Sequence, residues 1–211
     1  MKSHRRLPRR RLAGVARWAA PALFVLLLFV LLGAVPVLSQ EPEPAGAALE
    51  PALMARLAPH SLLLDAVERG PLWVAVGERG HVLVSADRGA NWTQAKVPTR
   101  VLLTGVWMHD ERLGWAVGHD ETILRTRDGG ATWELMHAAP DAERPLLDVW
   151  FRDAENGFAI GAYGAFLVTT DGGTSWSERA ISDDDFHLNQ IAAAADGSLY
   201  IAAEAGHIYR S

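Results

Sequence analysis

The sequence predicts an all-β protein of consecutive four-stranded units, preceded by an apolar N-terminal segment that is a signal or an anchor. Three observations predict it. An eight-residue turn motif recurs at a nearly constant interval, short apolar runs recur in step with it, and no helical periodicity separates those runs.

The N-terminal segment comes first. Residues 1–17 carry Lys2, Arg5, Arg6, Arg9, Arg10, Arg11 and Arg17 and no acid, and the stretch Trp18–Leu38 contains no charged residue. Pro21 and Pro36 bracket a purer apolar core, Ala22–Val35. That core has the length of a signal-peptide apolar region, while the full stretch approaches the roughly 20 residues needed to span a bilayer. Val37-Leu38-Ser39 suits a cleavage site, whereas the long basic leader favours an uncleaved anchor. In either case the arginines stay cytoplasmic and the chain beyond about residue 40 is exported. The expected location is periplasmic or otherwise extracytoplasmic, either free or held to the inner membrane by residues 18–38.

Residues 1–39 therefore read as signal peptide or signal anchor, and residues 40–60 as a linker. Gln40–Gly46 is rich in Pro, Ala and Glu. Leu49, Leu53, Met54 and Leu57 fall at helical spacing, which predicts a short helix over Ala47–Leu57 capping the first unit.

Charge and cysteine content exclude several classes. Beyond position 40 lie all 25 acids and only 13 basic residues, a formal charge of −12 that gives no basic footprint for nucleic acid. Cysteine is absent, so disulfides and thiolate metal sites are excluded.

The repeat follows. Ser85-Ala86-Asp87-Arg88-Gly89-Ala90-Asn91-Trp92, Thr126-Arg127-Asp128-Gly129-Gly130-Ala131-Thr132-Trp133 and Thr169-Thr170-Asp171-Gly172-Gly173-Thr174-Ser175-Trp176 align without gaps, 41 and 43 residues apart. Strand-like runs precede each copy at matching offsets: Leu62–Val67, Trp73–Gly77 and Val82–Val84 in the first unit, Leu102–Trp107, Trp115–Gly118 and Ile123–Leu124 in the second, Leu146–Phe151, Phe158–Gly161 and Phe166–Val168 in the third. Each unit holds four short strands in about 42 residues, the size of a β-propeller blade. The motif explains itself as turn chemistry. The Asp accepts from backbone N–H groups ahead of it, Gly89, Gly130 and Gly173 suit positive φ, the Ser or Thr hydroxyl adds a local bond, and the Trp packs under the turn.

Units are expected at about 61–100, 101–143 and 144–186. A fourth begins at 187, where Leu188–Ala192, Leu199–Ala203 and Gly206–Ser211 repeat the first three strands. Closed propellers need about four to eight blades, so residues 61–211 read as about 3.6 blades of a larger ring.

At these residues the chain resembles the Asp-box (bacterial neuraminidase repeat) propellers. Gly-Trp-Ala-Val-Gly at Gly114–Gly118, followed by the motif at Thr126–Trp133, makes residues 61–211 similar to bacterial relatives of the photosystem II assembly and stability factor family. The resemblance implies a lumenal or periplasmic seven-bladed propeller, non-enzymatic, that helps assemble a membrane complex by binding its membrane-protein subunits. Ser85, Asp87, Gly89, Trp92, Thr126, Asp128, Gly130, Trp133, Thr169, Asp171, Gly173 and Trp176 are then structural Asp-box residues.

The competing readings are weaker on the residues. A sialidase-like glycosidase would resemble that class in using three arginines, a Tyr–Glu pair and an Asp acid/base. Tyr163, Tyr200, Tyr209 and the arginines Arg69, Arg79, Arg88, Arg100, Arg112 and Arg125 are its raw material, with no recognisable triad context. His119-Asp120-Glu121, and Asp183-Asp184-Asp185 with His187, are the densest metal-type clusters, and each reads as a solvated loop. No catalytic, cofactor or metal site is expected. Recognition would fall to the loops Val97–Arg100, His109–Arg112, Ala138–Arg144 and Ser182–Phe186. A third reading is a structural envelope repeat protein without a specific partner.

Overall fold

Runs of Val, Ile, Leu and aromatic residues broken by Gly, Asp and Ser fold here into antiparallel ribbons. The computed structural model describes residues 50–211; the basic leader, the apolar stretch and the linker up to residue 49 lie outside the described residues. Among the described residues no helix is long and apolar enough to cross a membrane.

The ribbons form four sheets. The first contains β1 (Leu63–Arg69), β2 (Leu72–Gly77), β3 (Val82–Ser85) and β4 (Thr93–Gln94). The second contains β5 (Leu103–Met108), β6 (Gly114–Gly118), β7 (Ile123–Thr126) and β8 (Glu134–His137), and the third β9 (Leu146–Phe151), β10 (Gly157–Gly161), β11 (Phe166–Thr169) and β12 (Ser177–Glu178). The fourth has three strands, β13 (Leu188–Ala193), β14 (Leu199–Ala203) and β15 (Ile208–Arg210). Each sheet is a meander in chain order, and β1, β5, β9 and β13 adjoin one another in sequence.

Burial follows position in the sheet. β6 is buried at every residue because sheets cover both its faces, which explains its unbroken apolar run. The outer strands β4 and β12 are only two residues long and polar, a means of blunting an exposed edge. Between the first and second sheets Val74, Val76 and Val82 pack on Val106, Met108 and Leu124. Between the second and third, Trp115 stacks flat on Phe151 with centroids 3.4 Å apart, and Trp176 meets Phe151 edge-on at 6.0 Å. Ile160, Leu188 and Ile201 continue the core between the third and fourth.

Two features repeat with the units. A register shift interrupts the start of each first strand, beside Leu63, Leu103, Leu146 and Leu188, and re-aims the residues that follow it. Gly77, Gly118 and Gly161 close the second strands of the first three sheets, where a Cβ would collide with the carbonyl oxygen of Leu62, Leu102 or Pro145. They are glycines because of this close backbone approach.

The helix expected over Ala47–Leu57 does not form over its described part. Glu50–Ala55 is irregular backbone, a turn follows at Arg56 and Leu57, and a single 3-10 turn covers Ala58–His60. Its amide groups are taken instead by β4 and the link that follows it: Ala52 N donates to Val97 O at 2.9 Å and Ala55 N to Gln94 Oε1 at 2.7 Å. Tertiary partners override the local helical spacing.

Candidate functional site

A meander places its turns alternately at two ends, which sorts the predicted loops. One end carries the first and third turns of each sheet, including all three motif turns and His109–Arg112. The other carries the second turns and the links between sheets, including Val97–Arg100, Ala138–Arg144 and Ser182–Phe186. Three of the four loops proposed for recognition thus share an end, and His109–Arg112 lies at the opposite one.

At the motif end each turn is held by the same bonds. Ser85 Oγ donates to Asp87 Oδ1 at 2.7 Å and accepts from Gly89 N at 2.8 Å; Thr126 and Thr169 donate to Asp128 and Asp171 at 2.9 and 2.8 Å and accept from Gly130 and Gly173 at 2.9 Å. The Asp oxygens also accept from the backbone and side chain four residues ahead, at Asn91, Thr132 and Ser175, over 2.6–2.9 Å. The side-chain donors Asn91 and Ser175, then their backbone N–H groups, hold Asp87 and Asp171 at about 2. Burial opposes the same effect at Asp128, but the bonds from Thr132 and Thr126 prevail and lower it too. Carboxylates so occupied and so acidic have no proton to give at neutral pH.

Each Trp then roofs its turn. Trp133 Nε1 donates to Gly130 O at 2.9 Å and Trp176 Nε1 to Gly173 O at 3.1 Å, while Trp92 packs in the cluster of Ala58, Ala75 and Leu83. Gly89, Gly130 and Gly173 adopt φ of 84 to 85°, which only glycine adopts freely. The motif also ties sheets together: Trp115 Nε1 and Arg125 Nη1 of the second sheet both donate to Gly172 O of the third, at 3.1 and 3.0 Å.

At the link end lies a groove of about 480 Å³ lined by Arg144, Tyr163, Glu178, Arg179, Ser182 and Asp185 among others. Tyr163 is exposed at positive φ (54°) on the third sheet's second turn, with its ring edge-on to His187 at 4.9 Å. Arg144 forms one wall. Its guanidinium bonds Glu178 at 2.8 Å and Glu121 at 2.7 Å, and these partners, Glu178 first, raise its already high pKa. Acidic and basic groups therefore face the same space beside an exposed aromatic ring, a surface suited to a mixed-polarity chain segment rather than to one simple ion.

The remaining sequence candidates are dispersed. Glu121 is buried, occupied by Arg144 and by His137 Nε2 at 3.3 Å. Asp184 and Asp185 line the groove while His187 packs on Tyr163. Tyr209 Oη bonds Ser182 Oγ at 3.1 Å and Tyr200 lies under Arg210. Arg69 lies over Trp107 at 4.7 Å, Arg79 and Arg88 occupy positive-φ turns, and Arg100 pairs with Glu50. Arg112 accepts Gly129 N at its carbonyl, and Arg125 is buried.

Sequence reasoning missed a pair of acids on the first strands. Asp65 Oδ2 accepts from Val106 N at 2.9 Å, and Asp148 Oδ2 from Ile191 N at 2.7 Å, so each carboxylate bridges to the next sheet just past the register shift. Their other oxygens take Ala66 N and Val149 N at 2.8 and 2.7 Å. Burial raises both; Asp148 is pushed to about 6 by burial against the pull of these N–H groups, with the charge of Asp65 adding to the rise. Gly105 holds the matching place in the second sheet, where a Cβ would lie 3.0 Å from Leu147 O and 3.2 Å from Asp148 Cα. The signal was the Leu-Leu-Asp shared by Leu63–Asp65 and Leu146–Asp148.

With this geometry in place, comparison with known proteins is decisive for the family. Residues 84–145 and 139–208 match the family described as photosynthesis system II assembly factor YCF48. The chain belongs to that family. The chloroplastic photosystem II stability/assembly factor HCF136 of Cyanidioschyzon merolae is 39% identical over 88 residues, covering 39% of this chain and 20% of that protein. A structure described as YCF48 bound to D1 peptide superposes with a TM-score of 0.57 at 19% identity, over 71% of this chain and 49% of the other. The GH74 xyloglucanase of Xanthomonas campestris superposes with a TM-score of 0.54 at 18% identity, over 67% and 27%. These structural likenesses show the fold, that of the YCF48 propellers. The chain spans about a fifth of the length of HCF136 and about half of the YCF48 structure.

Proposed function

We propose that this chain is an extracytoplasmic, non-enzymatic assembly factor for a membrane protein complex of the photosystem II kind. It would hold a segment of a membrane subunit in the groove at the link end. The observation that carries the reading is the YCF48 family match across residues 84–208, which includes the groove walls Arg144, Tyr163 and Arg179. The structure described as YCF48 bound to D1 peptide supports a peptide as the ligand class. Export through residues 18–38, anchored or cleaved, and membership of a seven-bladed ring complete the proposal.

The test is capture of partners from the source membranes by the full chain, compared with Tyr163→Ala combined with Arg179→Glu. Loss of an exposed aromatic and a charge at a contact costs about 1–2 kcal/mol, so recovery of a specific membrane protein should fall about tenfold. Equal recovery would remove the groove from the proposal, and absence of any specific partner would remove the function. The likeness to a GH74 enzyme favours one second reading, a glycoside hydrolase. Hydrolysis of xyloglucan or of fluorogenic glycosides by the purified chain would establish it in place of the first.

A further inference from the structure

Large apolar side chains point outward from the segment that leads into the first sheet. Leu53, Met54, Leu57 and Leu62 are between 56% and 70% exposed. Their backbone is pinned. Besides the bonds of Ala52 and Ala55, Gln94 Nε2 donates to Leu53 O and Arg100 Nε to Pro51 O, both at 2.9 Å, and Ala58 is buried against Ala75 and Leu83. Leu62 is fixed in turn by its carbonyl, which accepts Glu78 N at 2.9 Å. A short stretch held this firmly with four apolar side chains outward presents a surface.

The chain before it indicates what covers that surface. The uncharged stretch Trp18–Leu38 ends 15 positions before Leu53, and a fully extended connector of that length reaches at most about 50 Å. We propose that Leu53, Met54, Leu57 and Leu62 form a lipid-contact patch that seats the first sheet on the bilayer holding residues 18–38. This rests on the export reading of that stretch given above. Electrostatics set the mode of contact. The chain beyond position 40 has a formal charge of −12, so anionic headgroups repel the domain, and adhesion comes from shallow insertion of Leu and Met into the interface. The patch lies at the end that carries the Glu78–Gly80 turn, which is also the end of the link groove. Seating it turns the groove toward the membrane from which a subunit segment would emerge.

The absence of cysteine allows single reporters. Met54→Cys, Leu57→Cys and, as a control at the opposite end, Ala195→Cys are each labelled with an environment-sensitive fluorophore. The full chain is then reconstituted into phosphatidylethanolamine–phosphatidylglycerol vesicles. Nitroxide-bearing lipid should quench the reporters at 54 and 57 at least about threefold more than the control, as for groups at the headgroup–acyl boundary. Raising salt from about 0.1 to 0.5 M, which shortens the screening length well below 10 Å, should not weaken it. The combination Leu53→Asp, Met54→Asp and Leu57→Asp should abolish quenching of a reporter at Leu62→Cys while tryptophan fluorescence stays native. Quenching equal to the control, in a chain that alkaline carbonate fails to extract, would overturn the patch and leave the anchor standing. If carbonate strips the chain, anchoring fails. The patch then stands only if the stripped chain floats with vesicles at neutral pH and the triple variant does not; otherwise it falls as well. Protection that appears only in native membranes would assign the patch to a protein partner and overturn the proposal.

Discussion

Replacing Asp148 with Asn tests the account of the bridging carboxylates most directly. Asp148 sits at about 6, against an ordinary value of 3.8. Because its folded pKa is raised, the folded chain binds more protons than the unfolded chain between those values. The stability associated with this group is therefore present in full below pH 3.8 and is lost as pH rises through about 6. A shift of about two units at 1.36 kcal/mol each sets an upper bound near 3 kcal/mol, and partial solvation of the carboxylate reduces this to about 2 kcal/mol. Asn at the same place carries no charge. Its amide oxygen can accept from Val149 N or Ile191 N, but its NH₂ then faces the other N–H, which costs about 1–3 kcal/mol at any pH. Asp148→Asn should therefore be less stable than wild type near pH 4, and should recover about 2 kcal/mol of that deficit by pH 7.5. Urea unfolding followed by tryptophan fluorescence at several pH values measures the difference, and carboxyl carbon NMR measures the titration itself. Groups that do not feel Asp148 titrate equally in both proteins, so the difference reports Asp148 together with its coupled neighbour Asp65. Parallel stability curves, or a titration near 4, would refute the claim that burial outweighs the two N–H bonds.

Three further outcomes follow from the packing. Trp133→Ala should cost about 3–5 kcal/mol, because the ring is nearly fully buried and its Nε1 bonds Gly130 O, whereas Trp92→Ala should cost less because Trp92 is half-buried; thermal melts of the two variants give the order. Glu121→Gly relieves a positive-φ residue at a position where the first and third sheets have Gly80 and Gly164. It should nonetheless destabilise by about 1–2 kcal/mol, since Arg144 and His137 lose a buried partner; an unchanged or higher Tm would show that strain dominates. Gly118→Ala drives a Cβ into Leu102 O, and should lower the yield of folded chain far more than the same change at Gly197, whose Cβ meets nothing within 4 Å.

The sheets were legible because three kinds of signal coincide in each of the first three units: apolar runs of strand length, glycines where backbones crowd, and a turn motif whose bonds are internal to eight residues. Local chemistry of this kind survives in any context. What sequence did not show depends on partners far along the chain. The spacing of Leu49, Leu53, Met54 and Leu57 mimics a helix, yet the amides near Leu53 belong to Val97 and Gln94, some forty residues away. Glu121 looked like one of three adjacent metal-type residues, and only the fold brings Arg144 onto it. Asp65 and Asp148 recur in alternate units only, so the repeat itself hid them: Gly105 stands between, and its lack of a side chain lets β9 approach. The groove was the least legible. Its walls come from a second turn, an outer strand and two links, which no single stretch of sequence contains.

The carbonyl of Gly172, taken by Trp115 and Arg125 of the preceding sheet, bears on the order in which the chain acquires structure. The third motif turn closes its own ring of bonds, but its outward-facing oxygen is satisfied by donors that exist in position only once the second sheet has formed. A chain emerging N-terminus first meets this requirement as it arrives, each new turn docking on a finished neighbour. Unfolding should couple the two sheets, because loss of the third strands the two buried donors and loss of the second strands the third turn's carbonyl. Neighbouring sheets should thus fray in pairs, which hydrogen exchange would register as shared protection of Gly173 and Trp176 with the amides of β6.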